Sequence, residues 1–336
     1  MLKNQPEIKE ALFYEKNGSD VKCLLCPHNC KVAPGKSGIC GVRSNHDGIL
    51  KTEIYGVVTG SSLDPVEKKP LYHFYPGSSI FSIGTRGCNM KCPYCQNWHI
   101  SQNVNARASF FSPQQIVEAA LNSNSIGIAY TYSEPVIWIE YVLDASRLAA
   151  VKGLKNVLVT NGYINKEPLA ELLKTTHAMN IDLKTFKEET YKKIHKAGLA
   201  DIKATIETAF TKGCHIEITT LIVTGVNDTM DEMMDIADYI SSIDKNIPWH
   251  ISRYYPNYKY DKPETSIDFI LDVYKAASEK LNFVYTGNIP YNAAGSDTVC
   301  SSCGNLLIKR KGYSVEIKGL NINKCGKCGH DAEIIC

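Results

Sequence analysis

The chain has 336 residues, 44% of them hydrophobic, and a formal net charge of +2 at pH 7. This length suits about two domains with a buried core, and the nearly neutral charge argues against nucleic acid or an anionic membrane as a partner. The first residues, MLKNQPEIKE, lack the apolar core of a signal peptide, and no uncharged stretch is long enough to span a bilayer. We therefore expect a cytoplasmic protein that does not associate with membranes.

Thirteen cysteines are the most informative feature of the composition. Most of them occur in C-x2-C or C-x3-C pairs, a spacing typical of metal sites. Because the cytoplasm keeps thiols reduced, these pairs predict metal ligands rather than disulfides. Cys214 and Cys336 have no such partners, and we expect no role for them beyond packing or exposure.

The first segment, residues 1–50, carries four thiols in the sequence CLLCPHNCKVAPGKSGIC. They form a C-x2-C-x3-C-x9-C array made of Cys23, Cys26, Cys30 and Cys40. The segment shows little regular periodicity, and its glycines leave the backbone free to fold around an ion. Four thiolates can bind zinc or an auxiliary iron–sulfur cluster, and the spacing does not decide between them. A metal-free turn is the remaining alternative.

The second segment, residues 75–290, alternates apolar runs with amphipathic helical patterns. The runs predict strands at 79–84, 125–130, 156–160, 178–183, 215–223, 248–255 and, more briefly, 282–286. Single helices between short strands predict parallel pairing through right-handed crossovers. The fold class expected is α/β, a partial (β/α)6 TIM-like barrel with ligands at the carboxyl ends of the strands.

Three cysteines follow the first of these strands directly, in TRGCNMKCPYCQN. Cys88, Cys92 and Cys95 form a C-x3-C-x2-C motif. A [4Fe–4S] cube takes one ligand per iron, so a cube held by three thiolates keeps one iron open to another ligand. The alternative is a structural zinc site in which His99 is the fourth ligand.

Polar side chains stand at the ends of the later strands, where a barrel would bind its ligand. A carboxylate there can accept hydrogen bonds from an ammonium group, and an Asp-x-Lys pair points two charges to one side of a strand. Each residue also has an ordinary structural role open to it, as a helix cap, a turn, an ion pair or a buried histidine. The candidates are Ser133 and Glu134, Thr160 and Asn161, Asp182 and Lys184, and His250.

The third segment, residues 297–336, contains two C-x2-C knuckles, Cys300/Cys303 and Cys325/Cys328, joined by alternating β-type sequence. Four thiolates in this arrangement predict a zinc-ribbon-like or rubredoxin-like module, with zinc favoured over iron. The apolar content between the knuckles is small, so we expect the metal to supply the folding energy of this module. The basic run at 309–311 is expected to form a solvated hairpin turn.

Taken together, the cysteine motif and the strand ends resemble the radical S-adenosylmethionine (SAM) superfamily. More narrowly, DLK at 182–184, TGVND at 224–228 and HISRYY at 250–255 resemble the branch that includes pyruvate formate-lyase activating enzyme. CLLCPHNC, KKPLYHFYPG, YTYSEP and TNGYI are similar to the radical SAM proteins of the AmmeMemoRadiSam system. The resemblance covers roughly residues 20–290 and leaves out the C-terminal module. Tyr132 and Ser133 stand where the superfamily's "GGE" segment has glycines.

The resemblance implies a [4Fe–4S] cluster on Cys88, Cys92 and Cys95 whose open iron is chelated by the amino and carboxylate groups of SAM. One electron, supplied by a donor such as flavodoxin or ferredoxin, then cleaves SAM to methionine and a 5′-deoxyadenosyl radical. It also implies that Tyr94 packs near the adenine. The residues implied to line SAM are Ser133, Glu134, Thr160, Asn161, Asp182, Lys184 and His250.

Three functions are open on the sequence alone. The first is a radical SAM enzyme that abstracts hydrogen from a substrate, either a glycyl radical enzyme that it activates or another protein, an RNA or a small molecule. The second is a multi-metal binding protein that docks a partner. The third is an iron–sulfur electron carrier. Cleavage of SAM separates the first function from the other two.

Overall fold

The structure is a computed structural model that describes residues 7–290 and 293–336. Its strands are β1 (Glu7–Glu10), β2 (Tyr14–Asn17), β3 (Asp20–Cys23), β4 (Lys31–Val32), β5 (Arg43–His46), β6 (Ile49–Tyr55), β7 (Val57–Val58), β8 (Gly60–Pro65), β9 (Ser79–Gly84), β10 (Ser109–Phe110), β11 (Gly127–Tyr130), β12 (Lys155–Thr160), β13 (Ala178–Asp182), β14 (His215–Ile222), β15 (Trp249–Arg253), β16 (Val284–Gly287), β17 (Thr298–Val299), β18 (Leu306–Lys311), β19 (Ser314–Ile317), β20 (Leu320–Asn321) and β21 (Lys324–Cys325).

Most of the helices lie between the strands of the central sheet. They are α1 (Trp98–Ser101), α2 (Pro113–Asn122), α3 (Ile139–Val151), α4 (Lys166–Leu173), α5 (Glu188–Thr190), α6 (Leu199–Thr211), α7 (Met230–Ile243) and α8 (Ile267–Ala277), with a π-helical turn over Tyr191–His195. Helix α2 begins with the predicted capping box, in which Ser112 and Gln115 bond each other's backbone N–H groups. Within the described residues, none of the helices combines the length and hydrophobicity that crossing a membrane requires.

The central sheet has eight strands in the order β16-β15-β14-β13-β12-β11-β9-β8. Seven of them pair in parallel, and β8 pairs antiparallel with β9. All seven parallel strands lie within two or three residues of the predicted runs, because each run is apolar enough to be buried on both faces of the sheet. The α/β class and the mostly parallel sheet are therefore confirmed. The antiparallel strand β8 was not predicted.

The N-terminal segment forms two small antiparallel sheets, β1-β6-β5 and β2-β3-β4. Strands of two to seven residues interrupted by turns show no clear period in the sequence, which explains why none was predicted there. A buried ion pair fixes this segment on helix α3. Arg43 Nη1 donates to the Glu140 carboxylate at 2.8 and 3.0 Å, and Arg43 Nη2 donates to the carbonyl oxygen of Leu12 at 2.6 Å.

The C-terminal segment forms the sheet β17-β18-β19 and the hairpin β20-β21 around a small core of its own. It is bonded to the lead-in of the central sheet. The backbone of Ile335 exchanges hydrogen bonds with His73 and Tyr75, at 2.9 and 2.7 Å. Arg310 was expected in a solvated turn, and that prediction is wrong: its side chain is buried, lies 3.7 Å from the Glu67 carboxylate and donates to the carbonyl oxygen of Tyr72 at 2.8 Å.

Candidate functional site

Cys88, Cys92 and Cys95 lie in the loop after β9, at the carboxyl edge of the sheet. Polar groups surround two of their sulfur atoms. The N–H of Met90 donates to Cys88 Sγ at 3.3 Å, and Asn161 Nδ2 lies 3.7 Å from the same atom. Cys95 Sγ lies 3.2 Å from Ser101 Oγ. Hydrogen bonds of this kind stabilise a thiolate bound to iron, so the donor set suits a cluster.

The third thiol, Cys92, contacts a histidine that the sequence did not reveal. His195 Nδ1 lies 3.3 Å from Cys92 Sγ, and His195 Nε2 lies 3.1 Å from the hydroxyl of Tyr94. His195 is fully buried at the end of the π-helical turn. A thiolate can only accept, so a neutral His195 would donate from Nδ1 and accept the Tyr94 hydroxyl at Nε2.

Burial disfavours free thiolates at this site. It raises the pKa of Cys92 to about 11 against the opposing charge of Lys184, and it raises the pKa of Cys88 well above its ordinary value. A bound cation offsets this cost, because metal ligation requires the thiolate and stabilises it. Binding of a metal cluster would therefore displace the protons that burial keeps on Cys88 and Cys92 in the metal-free protein.

The three cysteines line a pocket of about 540 Å³. Residues from six further strands of the sheet, β11 to β16, or from the loops directly after them line the same pocket, although the last of them, Asn288, is 200 positions from Cys88 (288 − 88). Of the residues predicted from the sequence, the pocket contains Cys88, Cys92, Cys95, Tyr94, Ser133, Glu134, Thr160, Asn161, Asp182 and Lys184. The structure therefore brings together every candidate of the central segment except His250 and His99, the fourth ligand of the zinc alternative.

Glu134 is the most tightly held acid of the pocket. Its Oε1 accepts from the Thr160 hydroxyl at 2.6 Å and from the N–H of Val136 at 3.0 Å, and its Oε2 accepts from the N–H of Asn161 at 2.9 Å. Burial raises its pKa to about 7, and these hydrogen bonds oppose the shift. Glu134 can therefore change its charge near neutral pH.

Asp182 and Lys184 face the same pocket, as strand alternation predicted, and their charged groups are 2.7 Å apart. Burial opposes the charge of Lys184, but Asp182 and then Cys92 and Tyr94 raise its pKa well above the ordinary value. Lys184 is thus a permanent cation beside the cysteines, and it can attract a carboxylate.

Tyr132 replaces a glycine of the family motif and adopts the backbone conformation that favours glycine, with φ of +66°. Its hydroxyl donates to Asp64 Oδ2 at 2.5 Å, and buried Lys69 donates to the same oxygen at 2.7 Å. These bonds hold the strained residue in place. Tyr132 and the first three residues of the KKPLYHFYPG sequence, Lys68, Lys69 and Pro70, also line the pocket.

His250 is not part of the cysteine pocket, and its inclusion among the pocket residues needs correction. Its Nε2 bonds Glu217 Oε2 at 2.6 Å. The Glu217 carboxylate also accepts from the N–H groups of Tyr72 and His73 at 2.9 and 2.8 Å. His250 is the second residue of β15 and Glu217 the third residue of β14, so neither lies at the carboxyl end of its strand. Ser252, two residues further, does reach the pocket.

His250 lines a second cavity, of about 810 Å³, beside the cysteine pocket. Gly312 and Tyr313 of the C-terminal hairpin also line it. The two cavities share five lining residues, Lys68, Pro70, Gln96, Ser252 and Asn288, so they adjoin.

The four C-terminal cysteines form a compact site. Cys300 Sγ lies 3.7 Å from Cys328 Sγ, Cys303 Sγ lies 3.7 Å from Cys325 Sγ, and all four sulfurs lie within 4.8 Å of one another. Four thiolates around one zinc, with Zn–S bonds of about 2.3 Å, would stand about 3.8 Å apart at the corners of a tetrahedron. The arrangement therefore suits a single tetrahedral ion.

The comparisons with known proteins agree with this geometry. The family model of the radical SAM superfamily matches residues 82–240, which include the three cysteines and all the pocket candidates from Tyr94 to Lys184. An "uncharacterized protein" of Methanocaldococcus jannaschii is 39% identical over 336 aligned residues, 98% of this chain and 100% of that protein. The chain belongs to the radical SAM superfamily.

Two named relatives are more distant. A GTP 3',8-cyclase of Limosilactobacillus fermentum is 25% identical over 263 residues, 68% of this radical SAM chain and 75% of the relative. A pyruvate formate-lyase-activating enzyme of Clostridium pasteurianum is 22% identical over 162 residues, 47% of this chain and 68% of the relative. Membership of the superfamily implies a [4Fe–4S] cluster and SAM as cofactors.

Proposed function

We propose that the chain is an enzyme that cleaves SAM reductively and uses the resulting radical to abstract hydrogen from a substrate. The observation that carries the proposal is the pocket in which the three thiols, Glu134 and the Asp182–Lys184 pair meet. When bound, the [4Fe–4S] cluster supplies the electron that breaks the sulfonium bond of SAM to give methionine and a 5′-deoxyadenosyl radical.

The protein's part is to bind and orient SAM. Glu134 accepts a hydrogen bond from the amino group, and Lys184 attracts the carboxylate. Asp182 accepts from the ribose hydroxyls, and Thr160 and Asn161 line the same side of the pocket. The list of proposed contacts is completed by Ser133 and by Tyr94, which packs near the adenine.

The substrate is proposed to occupy the second cavity, because that cavity adjoins the pocket in which the radical would form. Its volume of about 810 Å³ is within the range of small-molecule sites, roughly 300–1,000 Å³. Gly312 and Tyr313, in the turn of the β18-β19 hairpin, form part of one wall. We propose that the C-terminal module, with zinc at its four cysteines, completes the substrate site.

Glycyl radical activation of a partner enzyme is the subclass that the Clostridium relative favours. The size of the second cavity favours a different one, the modification of a small molecule, and the similarity to GTP 3',8-cyclases supports this second candidate. In either subclass we propose flavodoxin or ferredoxin as the electron donor. We also propose that the eight-stranded sheet curves into a partial barrel that is open between its edge strands, β16 and β8.

Electron paramagnetic resonance of the reduced, anaerobically reconstituted protein tests the proposal. Coordination of SAM to an open iron should change the spectrum of the cluster, and Asp182→Asn should require more SAM for the same change. Cys336→Ala, at an exposed cysteine outside all three sets, is the matched control and should behave as wild type. A spectrum that does not respond to SAM would contradict the assignment.

A further inference from the structure

The four N-terminal cysteines lie together in the fold, apart from the C-terminal set. Cys23, Cys26 and Cys40 are buried and Cys30 is half-buried. Each of the four thiols interacts electrostatically with the other three, so the fold gathers them in one place. β3 ends at Cys23, whose N–H donates to the carbonyl oxygen of Cys30 at 2.9 Å. This bond closes the loop that carries Cys26.

Backbone N–H groups face three of these sulfurs. His28 donates to Cys26, Ile39 to Cys30 and Val42 to Cys40. At Cys26 and Cys40 the donor is the residue two positions later in the sequence. Met90 has the same position relative to Cys88, and its N–H donates to Cys88 Sγ at 3.3 Å. Amides aimed at sulfur stabilise ligated thiolates, so these N–H groups would offset part of the cost of burying charge on the three sulfurs once a metal is bound.

The spacing of the sulfurs distinguishes this site from the C-terminal one. The four C-terminal cysteines have their sulfur atoms within 4.8 Å of one another. In the described part of the chain, no other group of three or more metal-binding side chains is this compact. The N-terminal set and the set of Cys88, Cys92 and Cys95 are both more open. Ligands of a cube each bind a different iron, and therefore stand further apart than four ligands of one ion.

The N-terminal site adjoins the catalytic loop on both sides of Cys88. The backbone of Cys40 packs closely against Gly87, which has φ of +91°. A side chain at position 87 would place its Cβ 2.9 Å from the carbonyl oxygen of Cys40. His28 Nε2 donates to the carbonyl oxygen of Asn89 at 2.7 Å. Two sites held this close would interact through the loop that they share.

We propose that Cys23, Cys26, Cys30 and Cys40 bind a second [4Fe–4S] cluster, closed by four protein thiolates, next to the catalytic cluster. Full ligation leaves this cluster no open iron, so it binds neither SAM nor substrate. The binding of iron here does not depend on the proposed function. The statement that this cluster lies beside a catalytic cluster does rest on the proposed function. Iron binding and the neighbouring position of the two clusters are therefore tested by separate experiments.

The first test is the metal content of Cys88→Ala/Cys92→Ala/Cys95→Ala after anaerobic reconstitution with iron and sulfide. Wild type should contain about eight irons and the triple variant about four, with about one zinc in each from the C-terminal site. Circular dichroism and thermal unfolding establish that the variant is folded. A folded variant with two zincs and no iron would overturn the proposal, whatever the outcome with SAM.

The reciprocal variant, Cys26→Ala/Cys40→Ala, should lose about four irons and keep a cluster whose resonance spectrum responds to SAM. Cys336→Ala, which alters an exposed cysteine, should keep about eight irons. In fully reduced wild type the two clusters should show a spectrum broadened by spin coupling, and each cluster variant a simple one. A wild-type spectrum equal to the sum of the two variants' spectra would place the clusters apart and contradict the proposed arrangement.

Discussion

Glu134→Gln removes one negative charge from the proposed SAM pocket and keeps the size of the side chain. A hydrogen bond to a charged group contributes about 1.5–3 kcal/mol, so SAM affinity should fall about ten- to a hundredfold at pH 8. One donor among Thr160, Val136 and Asn161 loses its acceptor in the variant, because the new amide nitrogen cannot accept. Thermal unfolding must therefore be measured alongside binding.

The effect should depend on pH in a direction that the pKa fixes. Burial raises the pKa of Glu134 to about 7, so the carboxylate is mostly ionised at pH 8 and only about one-tenth ionised at pH 6. The advantage of wild type over the variant should therefore shrink about tenfold from pH 8 to pH 6. The amino group of SAM also titrates near this range, but its contribution cancels in the ratio of the two affinities.

The assay is anaerobic titration calorimetry with SAM at both pH values, on wild type, Glu134→Gln and a control. Glu189→Gln is a suitable control, since Glu189 is an exposed carboxylate that pairs with Lys193 on the surface. It should match wild type at both pH values. A ratio of wild-type to Glu134→Gln affinity that is the same at pH 6 and pH 8 would refute the role given to this carboxylate.

Three further predictions concern other contacts. His195→Phe removes the proposed hydrogen-bond donor to Cys92, so the cluster should be harder to reduce. In a redox titration its midpoint potential should fall by about 59 mV, which is a tenfold lower reduced-to-oxidised ratio at the wild-type midpoint for one electron. An unchanged midpoint would refute the donor role. Asp182→Asn should weaken SAM binding about ten- to a hundredfold while the absorbance of the cluster stays intact, whereas normal binding would mean a structural ion pair. Arg310→Leu leaves the Glu67 carboxylate buried without its cation, so the free energy of unfolding measured in urea should fall by about 3–5 kcal/mol. The double variant with Glu67→Gln should recover much of that loss. An unchanged stability of Arg310→Leu would contradict the buried pair.

The central sheet could be predicted from the sequence because its signal is local. Each parallel strand is a short apolar run, and the period of two along a strand placed Asp182 and Lys184 on one side. The cysteine spacing identified the family for the same reason, since all three ligands lie within eight residues. These parts of the fold and of the site needed no knowledge of long-range contacts.

The remaining parts depend on contacts between distant positions. His195 is 103 residues from Cys92, and its helical sequence gives no sign that it reaches a sulfur. Arg310 belongs to a basic run that predicts solvent exposure, and only its burial against Glu67 shows otherwise. His250 was placed in the pocket from its predicted strand and from the family resemblance, and neither shows how far along the strand the residue lies.

The central claim is that Cys88, Cys92 and Cys95 hold a cluster that cleaves SAM. The most direct measurement is 5′-deoxyadenosine by mass spectrometry, after anaerobically reconstituted protein is incubated with SAM and dithionite. Wild type and Cys336→Ala should both form it, and Cys92→Ala should form none, because two protein thiolates do not hold the open-iron cube in place. Full cleavage by Cys92→Ala, or no cleavage by wild type with its iron and sulfide in place, would contradict the account.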